Sequence, residues 1–396
     1  MMNRSSSSRT RMSGVTLVEL MIVMVIGLII SIAVGTLFLS STGGARRQSQ
    51  LGNLQQSVRT AFDYLAHDAR MVGHQGCYTG RVGAGTYNNS ITPADSTNAY
   101  AIGVEGYEYR TGTAFTLASA TPANTTNTGN FETNVATPGT ATLPLATFAG
   151  AGSGLTPGSD VLVIRTVSGG PIRLSGDAAG NSTTISIEDT NSGGTCSNGT
   201  TAKVSGFCTG SHGLIASCTT ARVFSINALA GGTLTLDAAL GPATGANPAA
   251  VVYPQATAEV FPLHTIVYYV KASSNGRTTS LYRRIFDGDV AGGLEQELIE
   301  GVEMLQVRYG VDITTPDADG VIDEYRNANA VADWNRVVSI RMGLLIRASD
   351  ALDPGVTVGA TGVVNGVTVT YPTTDRSFDR RLFTTTVAVR NRISYF

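Results

Sequence analysis

An uncharged apolar run from Leu20 to Leu39 is the feature that most constrains the fold of this chain. In helical form, ~20 residues that each rise ~1.5 Å cover the ~30 Å hydrocarbon core of a bilayer. Basic residues and a serine cluster precede the run, and one acid, Glu19, lies at its start. The sequence therefore predicts an N-terminal helix that can cross a membrane once.

The order of the parts around Gly14 differs from that of an ordinary secretory signal peptide. There the small-residue cleavage site follows the apolar core, whereas Gly14 precedes it. The segment from Gly14 to Met21, with Glu19 as the fifth residue after the glycine, resembles the processing site of type IV prepilins and pseudopilins. The resemblance implies that residues 1–14 are a basic leader removed by prepilin peptidase. It also implies that Val15 becomes the N-methylated mature N-terminus, where the family usually has Phe.

Glu19 requires a physical explanation, because an acid near the end of a membrane helix still costs part of the ~3 kcal/mol that it costs at the centre. After cleavage, the α-amino group of Val15 would be a cation, since its reference pKa is ~8. Opposite charges ~4 Å apart attract by ~4 kcal/mol at an effective dielectric constant of ~20, before desolvation is subtracted. The resemblance implies that Glu19 neutralises this amine on a neighbouring subunit. The alternative is a plain membrane anchor with an incidental acid.

Apolar residues at gaps of three or four continue from Leu51 to Val72 and predict an amphipathic helix. We expect one helix from near Val15 to about Val72, with Gly43-Gly44 as the place where an interruption would occur. Residues 15–40 would form the membrane-spanning or fibre-core part. Residues 41–75 would continue the helix and pack against a sheet.

Polar residues of the second half fall off the apolar stripe, and Asp63 and Asp68 are expected on its solvated face. His67 and His74 are seven residues apart and could share a helical face, but no further metal ligand is close in sequence. The sequence therefore gives little support to a metal site here.

Residues 76–396 are rich in Gly, Ser and Thr and contain short alternating apolar segments, which predict a β-rich head. Polar insertions are predicted at 79–153 and 188–220. Strands are expected at 161–165, at 337–346 in the centre of a sheet, and at 383–391. The net charge of −2, with 14% charged residues, gives no reason to expect direct nucleic-acid binding.

The four cysteines all follow the predicted membrane segment. If this part of the chain is periplasmic or extracellular, oxidation is permitted, and an even number of cysteines predicts two disulfide bonds with three alternative pairings. Zinc is disfavoured because no C-x-x-C pair is present.

Two further segments narrow the resemblance. The stretch 68–73 followed by Gly76-Cys77 resembles the Arg-x-x-Gly and Gly-Cys junction of PilW-type minor pilins, and 301–310, Trp334 and the final strands are similar to that family's C-terminal part. The resemblance covers about 80 N-terminal and about 100 C-terminal residues. It implies an α+β type IV pilin fold: a long N-terminal α-helix packed on a β-rich C-terminal globular domain of antiparallel sheets.

The same resemblance implies the disulfide pairing. Cys218 precedes a Phe-containing strand, as in the pilin family, and is expected to pair with Cys77. Cys196 and Cys208 would then close a local loop.

The implied function is that of a minor pilin that primes type IV pilus assembly at the tip and supports motility and adhesion. The implied partners are other minor pilins, the major pilin, a PilY-type tip adhesin, the inner-membrane assembly machinery and prepilin peptidase. The protein would lie in the inner membrane, with its head in the periplasm, and then in the pilus at the cell surface. The alternatives are a J-like pseudopilin of a type II secretion system and a membrane-anchored periplasmic enzyme or adhesin.

No catalytic motif is found, and we expect neither an enzyme nor a cofactor. One acidic segment resembles a degenerate EF-hand loop and is a candidate for structural calcium. Thr315 and Arg326 do not match the first and twelfth loop positions, and a solvated acidic turn is the competing interpretation. The candidate ligands are Asp312, Asp317, Asp319 and Asp323.

Overall fold

The structure is a computed structural model that describes most of the helix and head. The described residues are 14, 16–78, 100, 102–109, 114–117, 131–132, 154–188, 194–197, 199, 202–241, 251–290, 292–314, 319–352 and 355–389. The chain divides into two units, Met1–Asn53 and Leu54–Phe396. Most of the predicted insertion 79–153 therefore lies outside the described residues.

One α-helix, α1, spans Leu17–Arg70 and passes through Gly43-Gly44 without interruption. The strands of the second unit are β1 Val104–Tyr109, β2 Ala114–Thr116, β3 Phe131–Glu132, β4 Val161–Val167, β5 Ile172–Arg173, β6 Ala178–Ala179, β7 Thr184–Ser186, β8 His212–Ala216, β9 Ala221–Ala230, β10 Thr233–Leu236, β11 Val252–Tyr253, β12 Glu259–Ala272, β13 Thr279–Phe286, β14 Leu294–Glu300, β15 Val302–Val311, β16 Glu324–Arg326, β17 Val337–Ala351, β18 Thr361–Val364, β19 Val367–Thr370 and β20 Phe378–Ala388.

Within the described ranges, eleven strands form one large sheet with the main order β3-β1-β4-β12-β8-β9-β10-β7. Strands β13 and β5 also pair with β12, and β14 pairs with β13. A four-stranded sheet has the order β16-β15-β17-β20, so β17 is central, as the sequence predicts. The remaining sheets are β18-β19-β2 and β11-β6. All pairs are antiparallel except β19 with β2, and this architecture confirms the predicted α+β class with antiparallel sheets.

Strand β12 is continuous, although Pro262 lies in its interior. The carbonyl of Pro262 accepts a hydrogen bond from the Ser168 N–H, on the side of the strand where β4 and β5 pair. Its missing N–H points to the same side, between the segments paired with β5 and with β4. The proline is therefore tolerated, because Pro262 pairs with Gly213 of β8 on the other side of the strand, where no donor is needed from it.

The main core joins one face of α1 to the large sheet and the four-stranded sheet. The helix contributes buried apolar residues at spacings of three or four, and these confirm the predicted apolar stripe. These are Leu54, Val58, Ala61, Leu65, Ala69 and, just beyond the helix, Val72.

Trp334 anchors this core from the end of the four-stranded sheet. It is 2% exposed, and its ring meets the Tyr309 ring edge-on at 4.8 Å. Tyr309 in turn lies so close to Gly106 that a Cβ there would be 1.8 Å from the tyrosine hydroxyl oxygen. Only glycine allows β1 and β15 to approach this closely.

Asp160 links the two main sheets from a fully buried position. Its carboxylate accepts the backbone N–H of Val307 at 2.8 Å and that of Tyr109 at 3.2 Å. Burial, followed by the nearby Glu108, raises the pKa of Asp160 well above its ordinary value, and the backbone hydrogen bonds oppose this rise. Three strand regions are thereby fixed by one side chain.

Asp68 is buried, so its expected place on the solvated face is wrong. Its carboxylate accepts the Tyr268 hydroxyl at 2.6 Å and pairs with Arg283 at 3.0 Å. Burial and the adjacent carboxylate raise the pKa of Tyr268 far above its ordinary value, so the hydroxyl keeps its proton and donates it to the hydrogen bond. Partners from β12 and β13 offset the desolvation cost of this acid. Helical spacing alone does not reveal these partners.

Replacement of Asp68 by Ala is expected to lower the free energy of unfolding by ~3 kcal/mol, because it leaves the Arg283 charge without this carboxylate. The measurement is urea unfolding of the full chain followed by Trp334 fluorescence. Asp63 is exposed on the same helix, and Asp63→Ala is the matched control, expected to change stability by less than about 0.5 kcal/mol. Equal effects of the two variants would contradict this account.

Candidate functional site

The candidate processing and assembly residues lie at the start of α1 and just before it. Gly14 and Glu19 are exposed, and Val15 lies outside the described residues. The Thr16 hydroxyl oxygen accepts the backbone N–H of Glu19 at 3.3 Å and so caps the helix. Thr16 and Glu19 also have the spacing of a capping box, and an acid in the first turn is favoured by the helix dipole. The spacing thus suits a local role for Glu19 beside the intersubunit role that the resemblance implies.

The apolar half of α1 is exposed around its whole circumference. The large apolar side chains described between Leu17 and Phe38 are all at least half exposed, for example Leu17 at 76% and Phe38 at 66%. Fully burying one such side chain contributes ~1.5–3 kcal/mol. Among the described residues, this is the one helix long and apolar enough to span a membrane. Its surface therefore requires lipid or other apolar helices around it.

The junction after α1 is fastened to the large sheet at several points. Val72 bridges to Thr166, whose hydroxyl donates to the Met71 carbonyl at 2.9 Å. Gly76 has a φ of 62°, and a Cβ there would lie 3.0 Å from the Phe261 ring. Both the left-handed backbone and the close ring explain the glycine.

Two disulfide bonds join the pairs implied by the resemblance. The first, Cys77–Cys218, connects the residue after this junction to the turn between β8 and β9, 141 residues away in sequence. The second, Cys196–Cys208, closes a loop with a separation of 12 residues. In the chain-entropy model, each bond constrains the unfolded chain, and the longer loop gives the larger stabilisation.

Metal binding by cysteine has no support from this arrangement. Within the described part of the chain, Cys196, Cys208 and Asp289 are the one group of potential ligand atoms close enough to hold an ion. The two sulfur atoms are bonded to each other, so neither is a thiolate. His67 and His74 also have separate neighbours: His67 lies 3.1 Å from Asp68, and His74 meets the Phe261 ring edge-on.

The acidic turn between β15 and β16 uses its carboxylates as backbone acceptors. The buried Asp312 accepts the N–H groups of Thr314 at 3.0 Å and Gly320 at 2.7 Å, one on each oxygen. Asp323 accepts the Ile313 N–H at 2.7 Å, and Asp319 accepts that of Val321 at 2.9 Å. Asp317 lies outside the described residues. These bonds engage the described carboxylates of the turn with backbone N–H groups, which favours the acidic turn over the calcium site; calcium binding stays a hypothesis for experiment.

A buried ion cluster in the four-stranded sheet is the largest feature that sequence reasoning missed. Arg380 donates to Glu303 at 2.7 Å and 3.0 Å and to Asp375 at 2.5 Å, and Arg347 lies 3.2 Å from Asp375. The partners come from β15, β17, β20 and the segment before β20, so no local spacing could have revealed them. The paired charges crosslink the sheet.

The comparisons with known proteins agree with the helix and the head separately. The family model of the prokaryotic N-terminal methylation motif matches residues 9–35. Together with the apolar helix, this match supports the class of membrane-anchored pilins that assemble into a pilus from the inner membrane.

A second family-model match, to the head, indicates which pilin family the chain resembles. The model of PilW, the type IV pilus-assembly protein W, matches residues 267–391, from within β12 to just beyond β20. The two matches support a PilW-family type IV pilin, as the sequence resemblance implies, and this pilin family is a structural, non-enzymatic one. Neither the curated proteins nor the solved structures gave a match.

We expect chelation of calcium to leave the melting temperature of the protein unchanged, because the described carboxylates of the acidic turn already accept backbone N–H groups. The measurement is thermal unfolding in EDTA and in millimolar calcium. A calcium-dependent rise that is lost in Asp319→Ala would instead show that the turn binds the ion. Asp63→Ala, on the exposed face of α1, is the control for a general charge effect.

Proposed function

We propose that this protein is a minor pilin that takes part in priming type IV pilus assembly and forms part of the pilus tip complex. The observation that supports the proposal is the combination, in one chain, of a PilW-type head with an exposed apolar helix segment that lies within a methylation-motif match. Such a helix is stable only among lipids or other apolar helices. Twitching motility and adhesion would then depend on this subunit through fibre formation.

Prepilin peptidase is the first proposed partner. It would cut after Gly14, which is exposed before the helix, and methylate the amino group of Val15. The basic leader would leave with residues 1–14, and the apolar helix would remain. This order keeps the subunit in the inner membrane, with its head in the periplasm, until assembly.

Glu19 is the proposed assembly residue. Its position in the first turn of the helix would place the carboxylate near the amine of a neighbouring subunit in a bundle of helices. The charge pair would form in an apolar environment, where an unpaired acid is costly. Axial register between subunits would follow from this requirement. The proposed neighbours are other minor pilins, the major pilin and a PilY-type adhesin, supplied by the inner-membrane assembly machinery.

The second candidate is a J-like pseudopilin of a type II secretion system. The N-terminal motif suits both, whereas the PilW match over 267–391 favours the pilus. Deletion of the gene separates the two: loss of surface fibres supports the minor pilin, and loss of secreted proteins with intact fibres supports the pseudopilin.

Mass spectrometry of the protein from cells is expected to show a mature N-terminus at methylated Val15. The physical reason is that cleavage after Gly14 keeps the apolar helix, whereas a conventional signal peptidase would remove it. A Gly14→Val variant should retain the leader. An N-terminus at Met1, or one beyond Leu39, would contradict the proposed processing.

Glu19→Gln is expected to abolish co-purification with the other pilins and to reduce the number of surface fibres. Gln keeps the length of the side chain and can serve in a capping box, so this variant removes the charge selectively. Glu19→Ala should have the same effect. Pull-down from detergent-solubilised membranes and counting of surface fibres are the measurements.

Thr16→Ala is the matched variant for the local role. It removes the hydroxyl that caps the Glu19 N–H, at an expected cost of ~1 kcal/mol in helix stability, but keeps the acid. We expect this variant to retain co-purification. If Thr16→Ala loses co-purification with the other pilins and Glu19→Gln retains it, helix capping rather than charge neutralisation explains the motif.

A further inference from the structure

Two arginines lie directly opposite each other on the four-stranded sheet. Arg308 of β15 pairs in register with Arg341 of β17. Their sequence neighbours Val307, Ile340 and Met342 belong to the core shared with α1, and successive side chains of a strand point to opposite faces of the sheet. Both arginines therefore lie on the outer face of this sheet, away from α1, where each is partly exposed.

This pair lacks the partners that the other arginines of the same sheet have. Within the described ranges, neither Arg308 nor Arg341 forms an ion pair with a carboxylate. Like charges directly opposite each other on neighbouring strands are destabilising, so the pair is a local excess of positive charge. The paired arginines of this sheet are Arg326 with Glu324, Arg347 and Arg380 with Asp375, and Arg381 with Asp379.

Each guanidinium group of the pair has its own support. The guanidinium carbon of Arg341 lies 3.8 Å from the centre of the Tyr325 ring, which is a cation–π contact. The Arg308 guanidinium lies against the turn between β18 and β19, where a Cβ added to Gly366 would be 2.7 Å from its Nη2 atom. Asn365, in the same turn, donates to the Arg341 carbonyl at 3.3 Å and ties the turn to the sheet. Both groups are therefore positioned by contacts within the chain.

The number and placement of these cations indicate the chemistry of a ligand. Each guanidinium is a planar fork that matches one carboxylate in a bidentate arrangement. Because the two forks have different supports, they suit two separate carboxylates better than one dianion at a single point. Alternate residues of an extended peptide lie on one face roughly 6.6 Å apart, which two long side chains can span. A nucleic acid, by contrast, is usually held by more cations than two.

The residues around the pair offer further contacts to a peptide. Ile322 lies over the same outer face, since a Cβ added to Gly310 would be 3.1 Å from its Cγ2 atom, and its side chain is still 38% exposed. Thr386 of β20 is exposed and stands directly opposite Arg341 on the other side of β17. An apolar side chain and a hydroxyl group thus flank the two cations.

We propose that this outer face, made of Arg308, Arg341, Tyr325, Ile322 and Thr386, binds an acidic peptide segment of a partner protein. Two carboxylates on alternate residues of the segment would each bind one guanidinium group. The face lies on the side of the sheet away from α1, so the packing of α1 on the head does not cover it. The inference goes beyond the proposed role in assembly, because it concerns recognition by the head.

Arginine variants of one sheet allow a matched test. Arg308→Gln and Arg341→Gln each remove one cation and keep much of the side-chain stem. Arg341→Lys keeps the charge and removes the fork. Arg381→Gln is the control: it removes a cation from β20, but Arg381 pairs in register with the core residue Ile346 and so lies on the other face. Urea unfolding followed by Trp334 fluorescence identifies the variants that keep the fold of the parent.

The experiment uses the full chain in an uncharged detergent. The probe is a dye-labelled pentapeptide with Glu at its second and fourth positions, compared with its Gln counterpart by fluorescence anisotropy. We expect saturable binding of the Glu peptide that weakens as salt is added, because exposed ion pairs are screened. Arg308→Gln and Arg341→Gln should each weaken binding about tenfold and Arg341→Lys somewhat less, while Arg381→Gln should stay within about twofold of the parent.

Several results would overturn the proposal. These are the absence of saturable binding of the Glu peptide, equal binding of the Glu and Gln peptides, and an equal loss in Arg381→Gln and in folded Arg308→Gln. Tighter binding of inorganic phosphate or of a single-stranded oligonucleotide than of the Glu peptide would also contradict it. Because binding is measured in solution without a pilus, each of these results leaves the role in assembly to be tested separately.

Discussion

The packing of the second half of α1 on the sheets depends on the carboxylate of Asp68, in the last turn of the helix. An acid at a helix C-terminus is disfavoured by the helix dipole, typically by ~0.3–1 kcal/mol, and burial adds a further cost. The Tyr268 hydroxyl and the Arg283 guanidinium offset both costs from neighbouring strands. The contact fixes the amphipathic end of the helix on β12 and β13, and the buried stripe from Leu54 to Val72 then forms the core.

The sequence predicts elements whose signal is local. Spacings of three or four residues predict the helix, and apolar runs predict β4 and the central position of β17. The burial of Asp68 was not predictable, because its partners are about 200 residues away in sequence. The tolerance of β12 for Pro262 likewise depends on which strand lies beside the missing donor. Tertiary pairing decides such features, and a single sequence does not display it.

The candidate site residues likewise include some that a local pattern identifies and some whose contacts depend on the fold. Gly14, Val15 and Glu19 lie within one short segment, so their pattern can be read directly from the sequence. The acidic turn shows the opposite case. Its aspartates suggest ion ligands by spacing, but the fold directs the carboxylates of Asp312 and Asp323 towards backbone N–H groups. Sequence spacing shows which carboxylates are near one another, and the backbone conformation determines which hydrogen-bond donors they accept.

Assembly of the helix and stability of the head place different demands on one chain. The apolar part of α1 leaves its side chains exposed, so its stability must come from lipid or from the helices of other subunits. The head satisfies its buried charges internally, as Arg380 does with Glu303 and Asp375, and closes its loops with disulfides. Contacts within the chain therefore stabilise the head, whereas the stability of the apolar part of α1 depends on what surrounds it.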